Sequence, residues 1–498
     1  MAAFLSRYRT AVVAAVLVLF GILLSVLSFG NHLCFRTYGL DLGIYTKVAY
    51  DYSRLNVNDC SFFLWEPSNI LADHFDLLLV LLSPLVRLFG ASALLAVQIL
   101  AVLFGALGMY RLAGRQSPFI VQLSSMLMPL VSFGVWHAVG FDYHSNVVGA
   151  MLLPWLLLFV RQHRLWSSVA VAVLIAVCKE SSALWLLFVL AALAVGHWRE
   201  RGTRRALLVG IVVTMVYLAV VTMLVMPSLG GSSRGFWRYE WMGASFAEVA
   251  RWLVTHPFEA VRDLFVDFTK DADCGHLKTE FFVCFLLSGG ICCLLKPSYL
   301  IMLIPPLALK MLSRDPTNFW GLTFHYNVEL CMVACVAAAE VFGGQRSVEG
   351  GRSGFCIRRL TAGNWPLATV MLVLTVGTLL YSIDEPRSDI RRAHVNLMDR
   401  QHYRMDEFDA SAARRMIRQI PPDASVCATT MFTPHLATRD SIYIFPLGLA
   451  HNAEYYLLRR SCWSYYDGDE ELVASMIGDT TAYRVLDTDG HLYLLQRR

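Results

Sequence analysis

Asp41, His74, Asp76, Asp142, His144, Lys179, Glu180, His325 and Tyr326 are the side chains of this chain best suited to chemistry. They stand in five short polar clusters, at residues 40–43, 73–76, 142–145, 179–181 and 325–327, each interrupting a long apolar run. An ionisable residue near a bilayer is expensive and marks a functional site by default. A carboxylate at a membrane surface, such as Asp41, can take a proton from an acceptor hydroxyl or orient it. His74 between two aspartates, with Asp76, and His144 beside Asp142 are types that hold a divalent metal or a phosphate-bearing substrate. Lys179 can contact a phosphate, and Glu180 can serve as ligand or base. Arg234 and Arg238, interleaved with Phe236, Trp237 and Tyr239, can grip a lipid phosphate.

Each cluster also has a purely structural reading. Asp41 and Asp142 can cap the helices that follow them. His74 and Asp76 can hydrogen-bond at a helix start. Lys179 and Glu180 can neutralise each other at a turn, His325 can be a cap or an interfacial residue, and residues 234–239 can anchor the chain at the headgroup level.

The elements that must position these residues belong to a membrane protein. The 498 residues are 56% hydrophobic and only 16% charged, with a mean hydropathy of +0.51. A soluble chain carries roughly a quarter charged residues. Nucleic-acid binding is not expected, since the chain has no basic stripe, zinc spacing or P-loop. Runs near 20 apolar residues cross a bilayer. They predict about 11 transmembrane helices at 11–29, 92–111, 118–136, 146–160, 165–178, 182–197, 205–226, 281–295, 298–312, 328–343 and 364–382. The first is too long for a signal-peptide core and lacks a small-residue cleavage site, so it reads as an uncleaved helix with a cytoplasmic N-terminus.

Charge placement sets the count. If the apolar segment 77–90, which contains Pro84 and Arg87, does not cross, the basic loops at 111–115, 161–164, 199–205, 296 and 346–359 share a side with Arg7 and Arg9. Segment 77–90 is therefore expected to be a juxtamembrane or re-entrant helix, and all five clusters fall on the outer face. Outer loops are expected at 30–91 and 227–280, the second with an amphipathic stretch near 245–269. The fold class is an all-α polytopic membrane domain over 1–382 followed by a small extracytoplasmic α/β domain over 383–498. In that domain, helical patterns at 405–419 and 469–477 flank strand-like runs at 424–429, 441–445, 483–487 and 491–496, the last two joined by a Thr488-Asp489-Gly490 turn. The twelve cysteines show no metal-finger spacing. Cys178, Cys284, Cys292, Cys293, Cys331 and Cys335 read as small packing residues. Cys34 with Cys60, and Cys427 with Cys462, lie in outer segments and are candidate pairs.

Several motifs resemble a bacterial family of predicted membrane proteins, domain of unknown function 2079. They are residues 40–45, Asp73-His74-Phe75, Asp142-Tyr143-His144, Lys179-Glu180, His325-Tyr326, and in the tail 434–439 with 442–446. That family in turn resembles the GT-C class of integral-membrane glycosyltransferases, which includes protein mannosyltransferases and the lipid A aminoarabinose transferase. The resemblance implies a multi-span protein of the inner membrane and cell envelope that takes a sugar from a polyprenyl-phosphate carrier. It implies an acidic catalytic residue soon after the first span, matched by Asp41, and a juxtamembrane helix, matched by 77–90. Two features depart from the class. Asp41 is followed by Leu42 rather than a second acid, and Asp73-His74-Phe75-Asp76 stands where some members carry lysine-proline-proline.

The expected activity is therefore glycosyl transfer from a polyprenyl-phosphate-linked sugar to a glycan, lipid or protein acceptor. Asp41 is the expected catalytic residue, and Lys179, Glu180, Arg234, Arg238 and Tyr326 are expected to bind substrate. His74, Asp76, His144 and His325 are candidate ligands for a divalent metal. The rival readings are a transporter or flippase, which would place ionisable groups at mid-bilayer depth, and a non-catalytic membrane scaffold.

Overall fold

A computed structural model describes residues 8–57, 69–230, 238–269, 274–343, 364–384, 394–461 and 469–498. All eleven apolar runs are helical, as a spanning segment without water must be to satisfy its own backbone. Five helices are long and apolar enough to cross a membrane: Arg9–Leu33, Ala91–Leu112, Arg201–Ser228, Leu277–Leu294 and Trp365–Ile383. Phe119–Leu130 and Phe133–Gly140 make a sixth if counted together, bent by 42°. Pro129 lies at that break, and proline removes a helical donor. The other apolar helices are shorter, so about 11 spans is not met by length alone.

Leu78–Phe89 has twelve residues, about 18 Å at the helical rise, too short for a hydrocarbon core of about 30 Å. It fits the juxtamembrane expectation. The Asp76 carboxylate accepts from the backbone N–H groups of Leu78 and Leu79 (3.1 and 3.3 Å) and starts the helix. Gly90, at φ 58° and ψ −147°, turns the chain directly into Ala91–Leu112, in a conformation that favours glycine. The amphipathic stretch forms two helices, Phe246–Thr255 and Pro257–Phe265. The first opens on a Ser245 cap, whose Oγ accepts from the Glu248 N–H (3.3 Å), while the Glu248 carboxylate accepts the N–H of the preceding residue Ala244 (2.8 Å). Val254, Phe258, Val261 and Phe265 point outward.

Val328–Phe342 is buried along its whole length and sits at the centre of the bundle. Its small residues let neighbours approach closely. A Cβ on Gly134 would meet Cys331 Sγ at 2.7 Å and the Asn327 carbonyl oxygen at 2.8 Å. The helical stretch from Ser145 to Arg161 runs beside it in the same direction. His144 stacks on His325 at one end, and Arg161 pairs with Glu340 at the other.

The C-terminal part carries a five-stranded sheet of order β2-β1-β3-β5-β4, with β1 (Val426–Ala428), β2 (Ile442–Ile444), β3 (Tyr455–Arg459), β4 (Tyr483–Thr488) and β5 (Leu492–Arg497). β1 pairs parallel with β2 and β3, while β5 pairs antiparallel with β3 and β4. The turn at Asp489 and Gly490 is where the sequence places it. The sequence does not mark β3, the central strand. It is buried from Tyr456 to Arg459 and so shows no alternation to read.

This sheet does not stand apart from the membrane part. Phe35, Leu42 and Ile44 share one buried cluster with Phe432, Ile442, Leu457 and Leu494. Arg36 Nη1 donates to the His402 carbonyl (2.9 Å), Arg414 Nη1 to that of Leu33 (3.0 Å), and the Gly39 N–H to Thr430 Oγ1 (3.0 Å). Of the candidate cysteine pairs, Cys60 and Cys462 lie outside the described residues.

Candidate functional site

Asp41 lies in a single wide turn, Gly39–Gly43, between the first long helix and Ile44–Tyr52. Gly43, not Asp41, occupies the cap position of Ile44–Tyr52. The turn is held from outside. Asp142 Oδ2 accepts the backbone N–H of Tyr38 (3.1 Å) and of Leu42 (3.3 Å), one on each side of Asp41. Asp142 does not cap the next helix either, since His144 stands there. Asp142 adopts a φ of 43°, unusual for a residue with a side chain. Its neighbourhood is fixed by Gln98, whose amide donates to the Asp142 carbonyl (2.8 Å) and accepts the His144 N–H (2.9 Å).

His144 completes the contact, its Nε2 3.3 Å from Asp41 Oδ1. Its ring is buried against His325 (centroids 3.5 Å apart, 20° between planes) and Phe141 (5.3 Å, 15°), which also stack on each other at 5.9 Å. Tyr45 meets it edge-on at 5.9 Å. The Tyr45 hydroxyl accepts from Lys179 Nζ at 3.2 Å. Burial, with Asp41 nearby, raises the Tyr45 pKa well above its ordinary value, so the phenol stays neutral. A chain of aromatic contacts continues from His325 through Tyr326 (4.1 Å) to Phe319 (4.0 Å). The Arg238 guanidinium lies 4.6 Å over the Phe319 ring and its Nε is 3.6 Å from Asp315 Oδ2.

The remaining clusters form the adjoining wall. Glu180 Oε2 accepts the Phe75 N–H (2.8 Å) and its other oxygen is 3.3 Å from His74 Nδ1. Asp73 is 3.8 Å from the other nitrogen of the same ring. Burial and Lys179 push the His74 pKa down, but Asp73 and Glu180 outweigh them and it is raised. Asp76 is fully buried and accepts the Ser145 hydroxyl. Burial drives the Asp76 carboxyl up to about 7, against Ser145 and Lys179. Behind it Asn146 Nδ2 donates to Glu329 Oε1 at 2.8 Å.

All five clusters thus meet at one end of the bundle. The four candidate metal ligands are not brought into one set. His74 goes with Glu180, Asp76 with Ser145, and His144 and His325 stack on each other. Among the described residues no group of three or more His, Cys, Asp or Glu side chains is placed to hold a metal ion. Arg234 lies outside the described residues, and Arg238 is linked to the cluster through Phe319 and Tyr326. Sequence reasoning gave no role to Tyr45, Gln98, Ser145, Asn146 or Glu329. Two of these carried a signal. Tyr45 follows Asp41 by four residues, and Gln98 is a polar residue inside an apolar span.

A model of the family described as predicted membrane protein (DUF2079) matches residues 31–474. No curated protein matches the sequence significantly. Among solved structures, ArnT from Cupriavidus metallidurans bound to undecaprenyl phosphate is 13% identical, with a TM-score of 0.48 over 96% of this chain and 97% of that one. Its apo state is also 13% identical, with a TM-score of 0.49 over 97% and 98%. The Archaeoglobus fulgidus oligosaccharyltransferase in complex with Zn and sulfate is 12% identical, with a TM-score of 0.40 over 97% and 73%.

Proposed function

The chain belongs to the DUF2079 family of predicted membrane proteins, and we propose that it is a membrane glycosyltransferase moving a sugar from a polyprenyl-phosphate donor to an extracytoplasmic acceptor. The observation that carries this reading is the Asp41–His144 contact, held in place by Asp142 and standing next to Lys179 through Tyr45. A carboxylate fixed by backbone clamps beside a buried cation supplies both groups that glycosyl transfer needs. The donor class rests on the resemblance of the motifs to the GT-C class.

In the proposed step the acceptor hydroxyl oxygen attacks the anomeric carbon of the donor sugar. The bond from that carbon to the phosphate oxygen breaks, and the hydroxyl proton passes to Asp41. The polyprenyl phosphate leaves with its negative charge. A preorganised cation lowers the cost of that charge, and Lys179 is nearest to the centre of the cluster. His144 orients the Asp41 carboxylate, Tyr326 and Glu180 line the substrate's way in, and Arg238 with Arg234 supplies further phosphate contacts. With its four candidate ligands divided, the cation role goes to Lys179 in preference to a divalent metal. In a bacterial inner membrane with a cytoplasmic N-terminus, the site and the C-terminal sheet face outward.

The test is turnover of polyprenyl-phosphate sugars by purified wild type and Asp41→Asn. Turnover by the wild type that the variant loses supports the reading. Movement of the intact lipid-linked sugar between leaflets, with no bond broken, would replace it with a flippase.

A further inference from the structure

A second built feature has its charged mouth away from the Asp41 cluster and its other end at Tyr217, whose ring is 6.5 Å from that of Phe75. A cavity of about 840 Å³ opens between the helices Leu153–Arg161, Leu165–Ala176, Glu180–Gly196 and Arg201–Val220. Along most of its length the lining is aliphatic, as at Val169, Val173, Leu190 and Val213. The charged side chains that line it, Arg164 and Arg205, stand at one mouth with His163 and Thr203, while Thr214 and Tyr217 line the other end. Thr203 Oγ1, in the first turn of Arg201–Val220, and His163 Nδ1 are 3.2 Å apart and tie that helix to the turn after Arg161 across the mouth.

Charge at this mouth is one-sided. Residues 161–164 and 199–205 contain Arg161, Arg164, Arg199, Arg201, Arg204 and Arg205 against the single acid Glu200. Arg161 is already paired with Glu340 deeper in the bundle. Arg164 lies 4.8 Å over Phe159, and Arg204 lies 4.7 Å over Trp198. Trp166 is 82% exposed and Trp198 59% exposed, and exposed tryptophans mark the headgroup level. From Thr203 to Tyr217 the groove follows fourteen residues of helix, about 21 Å, more than half of a hydrocarbon core of about 30 Å.

We propose that this groove is a binding site for an anionic phospholipid of the leaflet on the side of the basic loops. One acyl chain lies along Val169, Val173 and Val213, and the headgroup phosphate lies against Arg164 and Arg205. Aliphatic walls accept the chain, and the one-sided arginines select an anionic headgroup over a zwitterionic one. No bond is made or broken in this binding.

Native mass spectrometry of the full chain released from nanodiscs of equal phosphatidylglycerol and phosphatidylethanolamine tests this. The wild type should retain phosphatidylglycerol in preference. Arg164→Gln and Arg205→Gln should each reduce the preference about fivefold, the effect of one arginine at an anionic surface. Ala172→Phe, which fills the groove and leaves the arginines, should lower retention of both lipids. Arg111→Gln with Arg115→Gln, in another basic loop, should leave the preference intact and serves as the control for folding and overall charge. Equal retention of the two lipids by the wild type would overturn the proposal. So would an equal loss of preference in the control, or unchanged retention in Ala172→Phe.

Discussion

Two buried polar clusters sit at opposite ends of the Val328–Phe342 helix, and they are built differently. At one end Glu340 meets Arg161, and Lys296 is 3.5 Å from its other oxygen. One carboxylate is shared by two cations. At the other end Asp41 faces a histidine, Asp142 is spent on two backbone N–H groups, and Lys179 ends on a phenol oxygen. The Asp41 side chain keeps 15% of its surface exposed against 5% for Glu340. Burial of charge is common to both clusters and so does not distinguish a site. What distinguishes the Asp41 end is that the Asp41 carboxylate keeps part of its surface exposed, and this leaves it open to a substrate.

The comparison can be broken at either end. The largest effect on folding is expected from Glu340→Ala, which strands Arg161 and Lys296. Removing one partner of a buried ion pair costs about 3–5 kcal/mol, so its melting temperature in detergent should fall steeply, with activity falling in step. Asp142→Ala should also cost stability, about 1–3 kcal/mol for each of the two N–H groups left unpaired. Because it releases the Asp41 turn, it should also lower kcat about tenfold or more with little change in KM. Rescue of kcat by Asp142→Asn, whose amide oxygen can still accept, would mark Asp142 as a positioning residue.

A third expectation concerns pH. The Asp76 carboxyl titrates at about 7 in the folded protein against 3.8 ordinarily, so the folded state holds an extra proton between those values. Its contribution to stability is present below the ordinary value and is lost as pH rises towards 7 and through it. Melting followed from pH 4 to pH 8 should show this decline in the wild type and a flatter profile in Asp76→Asn. The smallest effect is expected at the Arg415–Asp487 pair (2.9 Å) on the rim of the sheet. Arg415 holds the Asp487 carboxyl below its ordinary range. That contribution is present above the unfolded value and disappears as pH falls through the folded one, so Asp487→Asn should alter melting only slightly above pH 4.

The sequence made the helices legible because apolar runs carry their own length and period, and all eleven are helical. It also showed which polar residues interrupt them, and why 77–90 should not cross. Pairing was not legible. Asp41 meets His144 across 103 residues, and His325 joins them from a further 181 positions along the chain, a distance over which residue type says nothing about contact. Glu329 and Asn146 find each other for the same reason and leave no local trace. β3 was missed because a strand covered on both faces lacks alternation. The shared core of Phe35 and Phe432 joins positions far apart in the chain, and composition carries no trace of such packing.

The central claim is that Asp41 takes the acceptor's proton. The direct measurement is turnover of a polyprenyl-phosphate sugar by wild type and Asp41→Asn in vesicles, with melting temperatures recorded alongside. The account predicts a loss of at least about a hundredfold, the usual contribution of a general base, at an unchanged melting temperature. Equal turnover by the two proteins would contradict it.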